Sequence, residues 1–474
     1  MSDTCAPDPL SIDVRSPWDG SMLGSVPCAT ERDVDAAVSR ARAIHARGVA
    51  PAHERGAVLE RAAQLITARR EALATCICEE AGKPISAARV EVDRAAATLV
   101  ASAIEARTLT GRMVPMSGAA SGDGRLGFTL RHPVGVVAAI TPFNFPLNLS
   151  CHKIGPAIAA GCPVVHKPAS ATPRTALLLR DLLRDAGLEP DMLHVVCGSG
   201  QGIGQHLVRH PDVRMVTFTG SSDVGWRLRQ DAPRAHIALE LGNSTPMIVL
   251  EDANIDDAAD AAVRGAFTYA GQSCISIQRV IAHAAVHDAL RDAVLARVAT
   301  IAIGDPANED TVVGPLISQG AAIEVRRRIS ASAQAGAIVH RVGSEPDGMP
   351  PTFVPPVVLE EVTPGMPIFD EELFGPALGI SRVSSDDEAI EYANATRFGL
   401  QAGVFTSDIT RAMRMVPQLH FGGVTINEMP TFRTDQMPYG GIKDSGNTRE
   451  GPWWTVRAMT HEQLVVVAPG GSTR

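Results

Sequence analysis

Between residues 134 and 239 short apolar runs alternate with helical patterns, and this alternation restricts the fold more than any other feature of the chain. The runs are Val134 to Ile140, Pro163 to Val165, Leu193 to Cys197, Met215 to Phe218 and Ile237 to Leu239. Helical spacing fills the gaps over Leu149 to Ala160, Pro173 to Ala186, Gly202 to Arg209 and Ser222 to Gln230, each ending at Gly or Pro or leading into a turn. A strand buried on both faces reads as an unbroken apolar run, and an intervening helix is the usual link between parallel neighbours. The expectation is an α/β fold with a doubly wound parallel sheet whose ligands sit at the strand C-termini.

The flanking regions extend this plan. A Thr30-x-x-Asp33 start signal precedes Val34, Ala37, Val38, Ala41 and Ile44 at helical spacing, and a second amphipathic pattern runs from about His53 to Ala81. After Leu250 a new helix starts near Ile255, and strands and helices from Arg279 to about Leu419 suggest a second α/β domain. A length of 474 residues is too great for one hydrophobic core and suggests two or three domains. Two stray strands, one over Phe128-Thr-Leu-Arg-His after the Gly118 to Gly124 turn and one over Gln463 to Ala468, need an edge to pair with. Unpaired edges favour self-association, so a homo-oligomer is expected, either dimer or tetramer.

Composition excludes several functions. A net charge of −9 gives no reason to expect a polyanion partner, so nucleic acid is not an expected ligand. No 18 consecutive apolar residues occur, and the N-terminus carries neither a basic region nor an apolar stretch, so a cytoplasmic protein without membrane attachment is expected. The 8 cysteines are scattered, which indicates neither a disulfide framework nor a four-ligand zinc site, and no metal is expected.

One cysteine differs from the others. Cys274 lies in Gly271-Gln-Ser-Cys274-Ile, a small-residue loop that lets a thiol approach a carbonyl, and Glu240-Leu-Gly242 stands 34 residues upstream. A thiol nucleophile with a separate carboxylate base suits aldehyde oxidation, because the carboxylate can activate water against a thioester. A buried packing cysteine beside a helix-capping glutamate is the plain alternative.

Further motifs follow in order: Thr141-Pro-Phe-Asn144-Phe-Pro146, Lys167-Pro-Ala-Ser170, Phe218-Thr-Gly-Ser221, Glu372-Leu-Phe374-Gly-Pro376 and Pro438-Tyr-Gly-Gly-Ile-Lys443-Asp-Ser-Gly446. With the Glu240 and Cys274 motifs, they make the chain resemble the aldehyde dehydrogenase superfamily from about Thr141 to Glu450. That resemblance implies a Rossmann-like cofactor domain (1–116 and 133–242), an α/β catalytic domain (243–445) and a small β oligomerisation arm (117–132 and 446–474). The segment Gly198 to Gly204 fails the literal GxGxxG pattern, in keeping with a family that grips its dinucleotide differently.

The resemblance also implies roles. Cys274 would attack the aldehyde, Asn144 would donate to the resulting oxyanion, and Glu240 would deprotonate the hydrolytic water. Relatives that transfer the acyl group to coenzyme A generally lack this glutamate, so a carboxylic acid is the implied product. For NAD or NADP, Lys167 would meet ribose hydroxyls or a 2′-phosphate, Ser221 a diphosphate oxygen, and Glu372 with Phe374 the nicotinamide ribose and ring. Thr141, Phe143, Gly200, Gly204, Phe218, Gly220, Leu241 and Gly242 would complete that site. Ser170 stands where NAD-preferring relatives usually carry a glutamate that repels a 2′-phosphate, which leaves NADP open. Asn243 departs from the family's second glycine.

On the substrate side, Asn148, His152, Ser273 and Arg433 are the candidates, and arginine can clamp an anion bidentately. The expected substrate is a short, polar, anionic aldehyde, phosphorylated, phosphonate or carboxylate, as in the lactaldehyde, glyceraldehyde-phosphate and phosphonoacetaldehyde branches. A buried ion pair from Arg433 to Asp435 or to a distant acid is the alternative for that residue. A neutral hydroxyaldehyde such as lactaldehyde, a non-redox thioesterase and a structural use of the fold are the alternative functions.

Overall fold

The computed structural model describes residues 10–232, 234–342 and 348–468. A five-stranded parallel sheet runs edge to edge as Leu193–Val195, Val164–Lys167, Val136–Ile140, Val213–Thr219 and His236–Glu240. The apolar runs form these strands for the reason their sequence suggests, since side chains alternate between two buried faces. Val136, Ala138 and Ile140 pack with Val34, Val38 and Ala41 of the helix Glu31–Arg47. Val137 and Ala139 join the opposite core with Ile154, Ile158, Leu179 and Leu182 of the helices Asn148–Ala160 and Pro173–Asp185. The capping box foreseen at Thr30 and Asp33 is present, each side chain meeting the other's backbone N–H.

The second pattern from His53 divides. Arg69 leaves helical geometry (φ −105, ψ 24) and splits it into Ala52–Ala68 and Arg70–Ala81. A further helix, Ile85–Thr108, has no counterpart in the sequence reading; it buries Ala88, Val92, Ala95, Leu99 and Ala103 at three- and four-residue spacing.

The second sheet has seven strands, ordered Ile338–Arg341, Val357–Glu360, Ala377–Val383, Ile277–His283, Thr245–Val249, Gln401–Phe405 and Gly423–Ile426. All its pairings are parallel except that of the first two strands. Asn254 starts the helix Ile255–Phe267 by accepting from Asp256 N–H and Asp257 N–H, a cap that contributes about 1 kcal/mol. The two stray strands pair with each other: Leu126–Pro133 lies antiparallel to Thr460–Val467 and, on its other edge, to Met113–Val114. Leu126, Leu130, Leu464, Val466 and Val467 remain exposed on this small sheet. Among the described residues no helix is long and apolar enough to cross a membrane.

Candidate active site

Four of the five parallel strands deliver a singled-out residue at or just beyond their C-terminal ends. Thr141 follows Ile140, Lys167 ends its strand, Gly220 follows Thr219, and Glu240 ends the last strand. The second sheet presents the opposite end of its strands, with Cys274 just before Ile277–His283 and Glu372 just before Ala377–Val383. A cavity of about 430 Å³ lies between the two and is lined by Phe143, Asn144, Gly220, Ser221, Leu241, Gly242, Cys274, Glu372 and Phe374. A second cavity of about 390 Å³ is lined by Lys167, Gly200, Gly204 and Phe218. Two hollows along one row of strand ends suit an elongated ligand with two bulky ends.

The cysteine loop is held in an uncommon backbone. Tyr269, Ala270 and Gly271 are successive left-handed residues, with φ of 55, 53 and 69. Such φ values cost a non-glycine residue about 1–2 kcal/mol, so tertiary contacts must hold the turn. Gln272 supplies several of them, its side chain accepting from Ile317 N–H at 2.9 Å and donating to the Pro315 carbonyl at 3.3 Å. Asn144 Nδ2 donates to the Gln272 carbonyl at 2.9 Å, so the asparagine is tied to the loop that carries Cys274. Asn144 Oδ1 is buried without a partner among the described residues.

Cys274 is partly buried, and its Sγ lies 2.9 Å from the Tyr439 hydroxyl. Burial pushes the thiol up to about 11, against the Tyr439 hydrogen bond, which favours the thiolate. Glu240 is 4 % exposed and neither carboxylate oxygen meets a hydrogen-bond partner among the described residues. Burial, with the charge of Glu450 added, raises its proton affinity well above the ordinary carboxylate range. Glu372 is raised to about 7 by burial, although it accepts Asn243 N–H at 3.1 Å.

Behind the cysteine and the glutamate lies a buried charge cluster. Glu450 accepts from Lys153 Nζ at 3.2 Å and from Arg433 Nη2 at 3.0 Å. Burial disfavours its charge, but the cations Lys153 and Arg433 hold it well below the usual range. Arg433 therefore has a distant acid as its ion-pair partner, Glu450 and not Asp435, and it stacks over the Tyr439 ring at 3.8 Å. Its Nε is buried and without a partner among the described residues. Asp435 instead accepts the Thr98 hydroxyl at 3.0 Å and lies 3.3 Å from His152 Nε2. His152 is fully buried, and burial with nearby Arg433 keeps it neutral.

Not every singled-out residue reaches a cavity wall. Thr141 is buried and its hydroxyl meets His166 Nε2 at 3.0 Å. Ser170 Oγ donates to the Gly198 carbonyl at 2.9 Å, whereas Lys167 does line the second cavity, its Nζ donating to the Pro168 carbonyl at 3.1 Å. Asn148 is buried against Thr98, whose hydroxyl lies 3.3 Å from Asn148 Oδ1, and Ser273 Oγ lies 3.5 Å from Ile275 N. Asn243 explains its own departure from glycine, since its amide bonds Thr245 Oγ1, the Gln401 carbonyl and Leu400 N–H. Sequence reasoning gave no role to Tyr439, Lys153, Gln272 or Glu450. A lysine in a helix without any acidic residue, as Lys153 is in Asn148–Ala160, was the one available signal.

The cavity pair fits a dinucleotide. The Thr219 hydroxyl is buried and without a partner among the described residues where it borders the first cavity, and a Cβ on Gly242 would come 2.3 Å from Glu372 Oε2, so a side chain there would displace the Glu372 carboxylate from that wall.

The sequence model for the Aldehyde dehydrogenase family matches residues 6–465. The chain is 40% identical over 456 residues to a 3-sulfolactaldehyde dehydrogenase of Priestia aryabhattai, covering 96% of this chain and 94% of the relative. It is 37% identical over 418 residues to a lactaldehyde dehydrogenase of Methanococcus maripaludis, covering 87% and 88%. Among solved structures, glyceraldehyde-3-phosphate dehydrogenase from Methanocaldococcus jannaschii, complexed with NADP, superposes with a TM-score of 0.92 at 34% identity over 97% of this chain and 99% of that one.

Proposed function

The chain belongs to the aldehyde dehydrogenase family, and from that premise we propose that it oxidises a short, polar, anionic aldehyde to its carboxylic acid through a thioester on Cys274. It is an NAD(P)-dependent aldehyde dehydrogenase. The observation that carries the mechanistic reading is the Cys274 thiol with a buried carboxylate close enough to act on it by its charge, Glu240, whose oxygens have no hydrogen-bond partner among the described residues.

In this mechanism the Cys274 sulfur bonds to the aldehyde carbon as its proton passes to solvent water, and the C=O π bond opens so that the carbonyl oxygen becomes an oxyanion. Asn144 donates an amide N–H to that oxyanion, an interaction of about 3 to 4 kcal/mol in the transition state. A bound dinucleotide would supply the hydride acceptor that oxidation of the hemithioacetal to a thioester needs. Glu240 then takes a proton from water, the resulting hydroxide adds to the thioester carbon, and the C–S bond breaks as Glu240 returns that proton to the sulfur, releasing the acid and the thiol. A carboxylate with raised proton affinity is a competent base for this step. Lys167, Gly200, Gly204 and Phe218 would hold one end of the dinucleotide, and Gly220, Ser221, Leu241, Gly242, Glu372 and Phe374 the other. In this reading residues 1–116 and 133–242 form the cofactor domain, 243–445 the catalytic domain, and 117–132 with 446–474 a self-association arm in a cytoplasmic dimer or tetramer; residues 1–9, 233, 343–347 and 469–474 of these spans lie outside the described residues.

The anionic substrate rests on Arg433, which keeps an unpartnered buried Nε beside the Tyr439 ring that touches Cys274. The sulfonated substrate in the name of the Priestia relative supports it. A neutral hydroxyaldehyde is the second reading, favoured by the engagement of Arg433 with Glu450 and by the name of the Methanococcus relative. Initial rates for short neutral and anionic aldehydes, each with NAD and NADP and followed by the absorbance of the reduced nicotinamide, test both. Higher specificity for neutral members overturns the anionic reading, and no absorbance rise with any aldehyde overturns the mechanism.

A further inference from the structure

Lys83 and Glu91 form an ion pair with both side chains almost completely removed from solvent, 1% and 0% exposed, and the chemistry above uses neither. Burying two charges is costly unless the geometry and the surrounding hydrogen bonds compensate, so such a pair calls for a reason. Glu91 has one: its Oε1 accepts Leu147 N–H at 2.9 Å and Asn148 N–H at 3.1 Å, the free donors at the start of the helix Asn148–Ala160. That helix begins four residues after Asn144. Lys83 reaches in the other direction. Its Nζ lies 3.7 Å from the centroid of the Phe145 ring and 4.7 Å from that of Tyr269, and the two rings meet edge to face at 6.5 Å.

Phe145 is the neighbour of Asn144, and Tyr269 is the first left-handed residue of the turn that leads to Cys274. Tyr269 is fixed at its far end by its hydroxyl on the Ala81 carbonyl at 3.0 Å, and its own carbonyl accepts Gln272 N–H at 3.1 Å. The Gln272 carbonyl in turn receives the Asn144 amide. The ion pair thus closes a ring of contacts through both loops of the reactive centre: Glu91 to the 147–148 backbone, Lys83 to Phe145 and Tyr269, Tyr269 to Gln272, and Gln272 to Asn144. A cation over two aromatic faces is a stronger tie when it is shielded from water, as here.

We propose that Lys83 and Glu91 are positioning residues that set the Asn144 amide against the Cys274 loop, and that the rate of thioester formation depends on this pair. The inference rests on the role of Asn144 proposed above. Neither side chain touches substrate, so the loss should fall on the rate of acylation and leave cofactor affinity alone.

The test is a double-mutant cycle on the full-length enzyme with Lys83→Met, Asn144→Ala and both together, reading the pre-steady-state burst of reduced nicotinamide and, separately, the cofactor Kd by quenching of intrinsic fluorescence. Lys83→Met keeps the length of the side chain and removes its charge. If it fails to fold, Glu91→Gln takes its place in the cycle, because it retains an oxygen acceptor for both N–H groups. The expected result is a burst rate lowered about 10- to 100-fold in Lys83→Met, a cofactor Kd within about 2-fold of the parent, and little further loss on adding the change to Asn144→Ala. Multiplicative losses in the double variant, or a burst rate in Lys83→Met equal to the parent's, overturn the proposal. A parental burst rate in Asn144→Ala alone overturns the oxyanion reading instead, so the two failures are told apart.

Discussion

The Tyr439 hydroxyl lies 2.9 Å from the Cys274 sulfur, and it is the hydrogen bond that favours the thiolate against the burial that disfavours it. A hydrogen bond to a charged group contributes roughly 1.5–3 kcal/mol, or about 10- to 100-fold in an equilibrium. Tyr439→Phe should therefore move the pH midpoint for alkylation of Cys274, already near 11, further up, and slow alkylation at pH 8 by about 10-fold or more. The rate of iodoacetamide modification across pH, with Cys274→Ala as the blank, measures this. An unchanged profile would mean that the hydroxyl does not act on the thiol.

Glu240 should trade stability for function. The folded chain holds its proton to higher pH than the unfolded chain, whose ordinary value is 4.5, so its contribution to stability is complete below 4.5 and is lost as pH rises through the folded value. Glu240→Gln removes that loss. Its Tm should exceed the parent's at pH 8 and converge on it near pH 4, read from thermal melts at both. The same variant should retain the burst of reduced nicotinamide and lose about 10²- to 10⁴-fold in steady-state turnover. Turnover like the parent's would remove Glu240 from the mechanism.

Cofactor choice is expected to turn on Ser170. Its hydroxyl is held by the Gly198 carbonyl at 2.9 Å, so it adds no charge next to Lys167. A glutamate there would set a carboxylate against a 2′-phosphate. Ser170→Glu should weaken NADP by about 10-fold or more and change NAD little, measured by fluorescence titration of each dinucleotide. Equal effects on both would place the 2′-phosphate elsewhere.

The fold was largely legible because its strands are buried on both faces, and continuous apolar runs such as Val136–Ile140 have little other use. The helix Ile85–Thr108 escaped because its inward face mixes alanines with the polar Glu91, Thr98 and Ser102, which leaves a shallow periodic signal. The break at Arg69 escaped because no Gly or Pro marks it. In the site, Cys274, Glu240 and Asn144 are carried by local motifs, whereas Lys153, Arg433, Tyr439 and Glu450 have meaning only as a group. They come from a helix of the first sheet and from loops near the end of the chain, and nothing in the spacing of residues 153, 433, 439 and 450 announces that they meet.

Arg433 decides the substrate reading, and its test must separate an anion clamp from an internal ion pair. Arg433→Met keeps the apolar stem over the Tyr439 ring but removes the charge and the free Nε, and it leaves Glu450 with Lys153 alone. A loss of activity in that variant could then arise from a disturbed Glu450. Adding Glu450→Gln together with Lys153→Met removes that disturbance, since neither the Glu450 carboxylate nor the Lys153 ammonium is then left buried without its counter-charge. If Arg433 binds the anionic end of the substrate, both variants should lose about 10- to 100-fold in kcat/KM for anionic aldehydes, the worth of a charged hydrogen bond. Neutral hydroxyaldehydes should recover in the triple variant to within about 3-fold of the parent, because only the internal imbalance affects them. Equal recovery of both substrate classes would assign Arg433 to the internal ion pair and favour the neutral substrate.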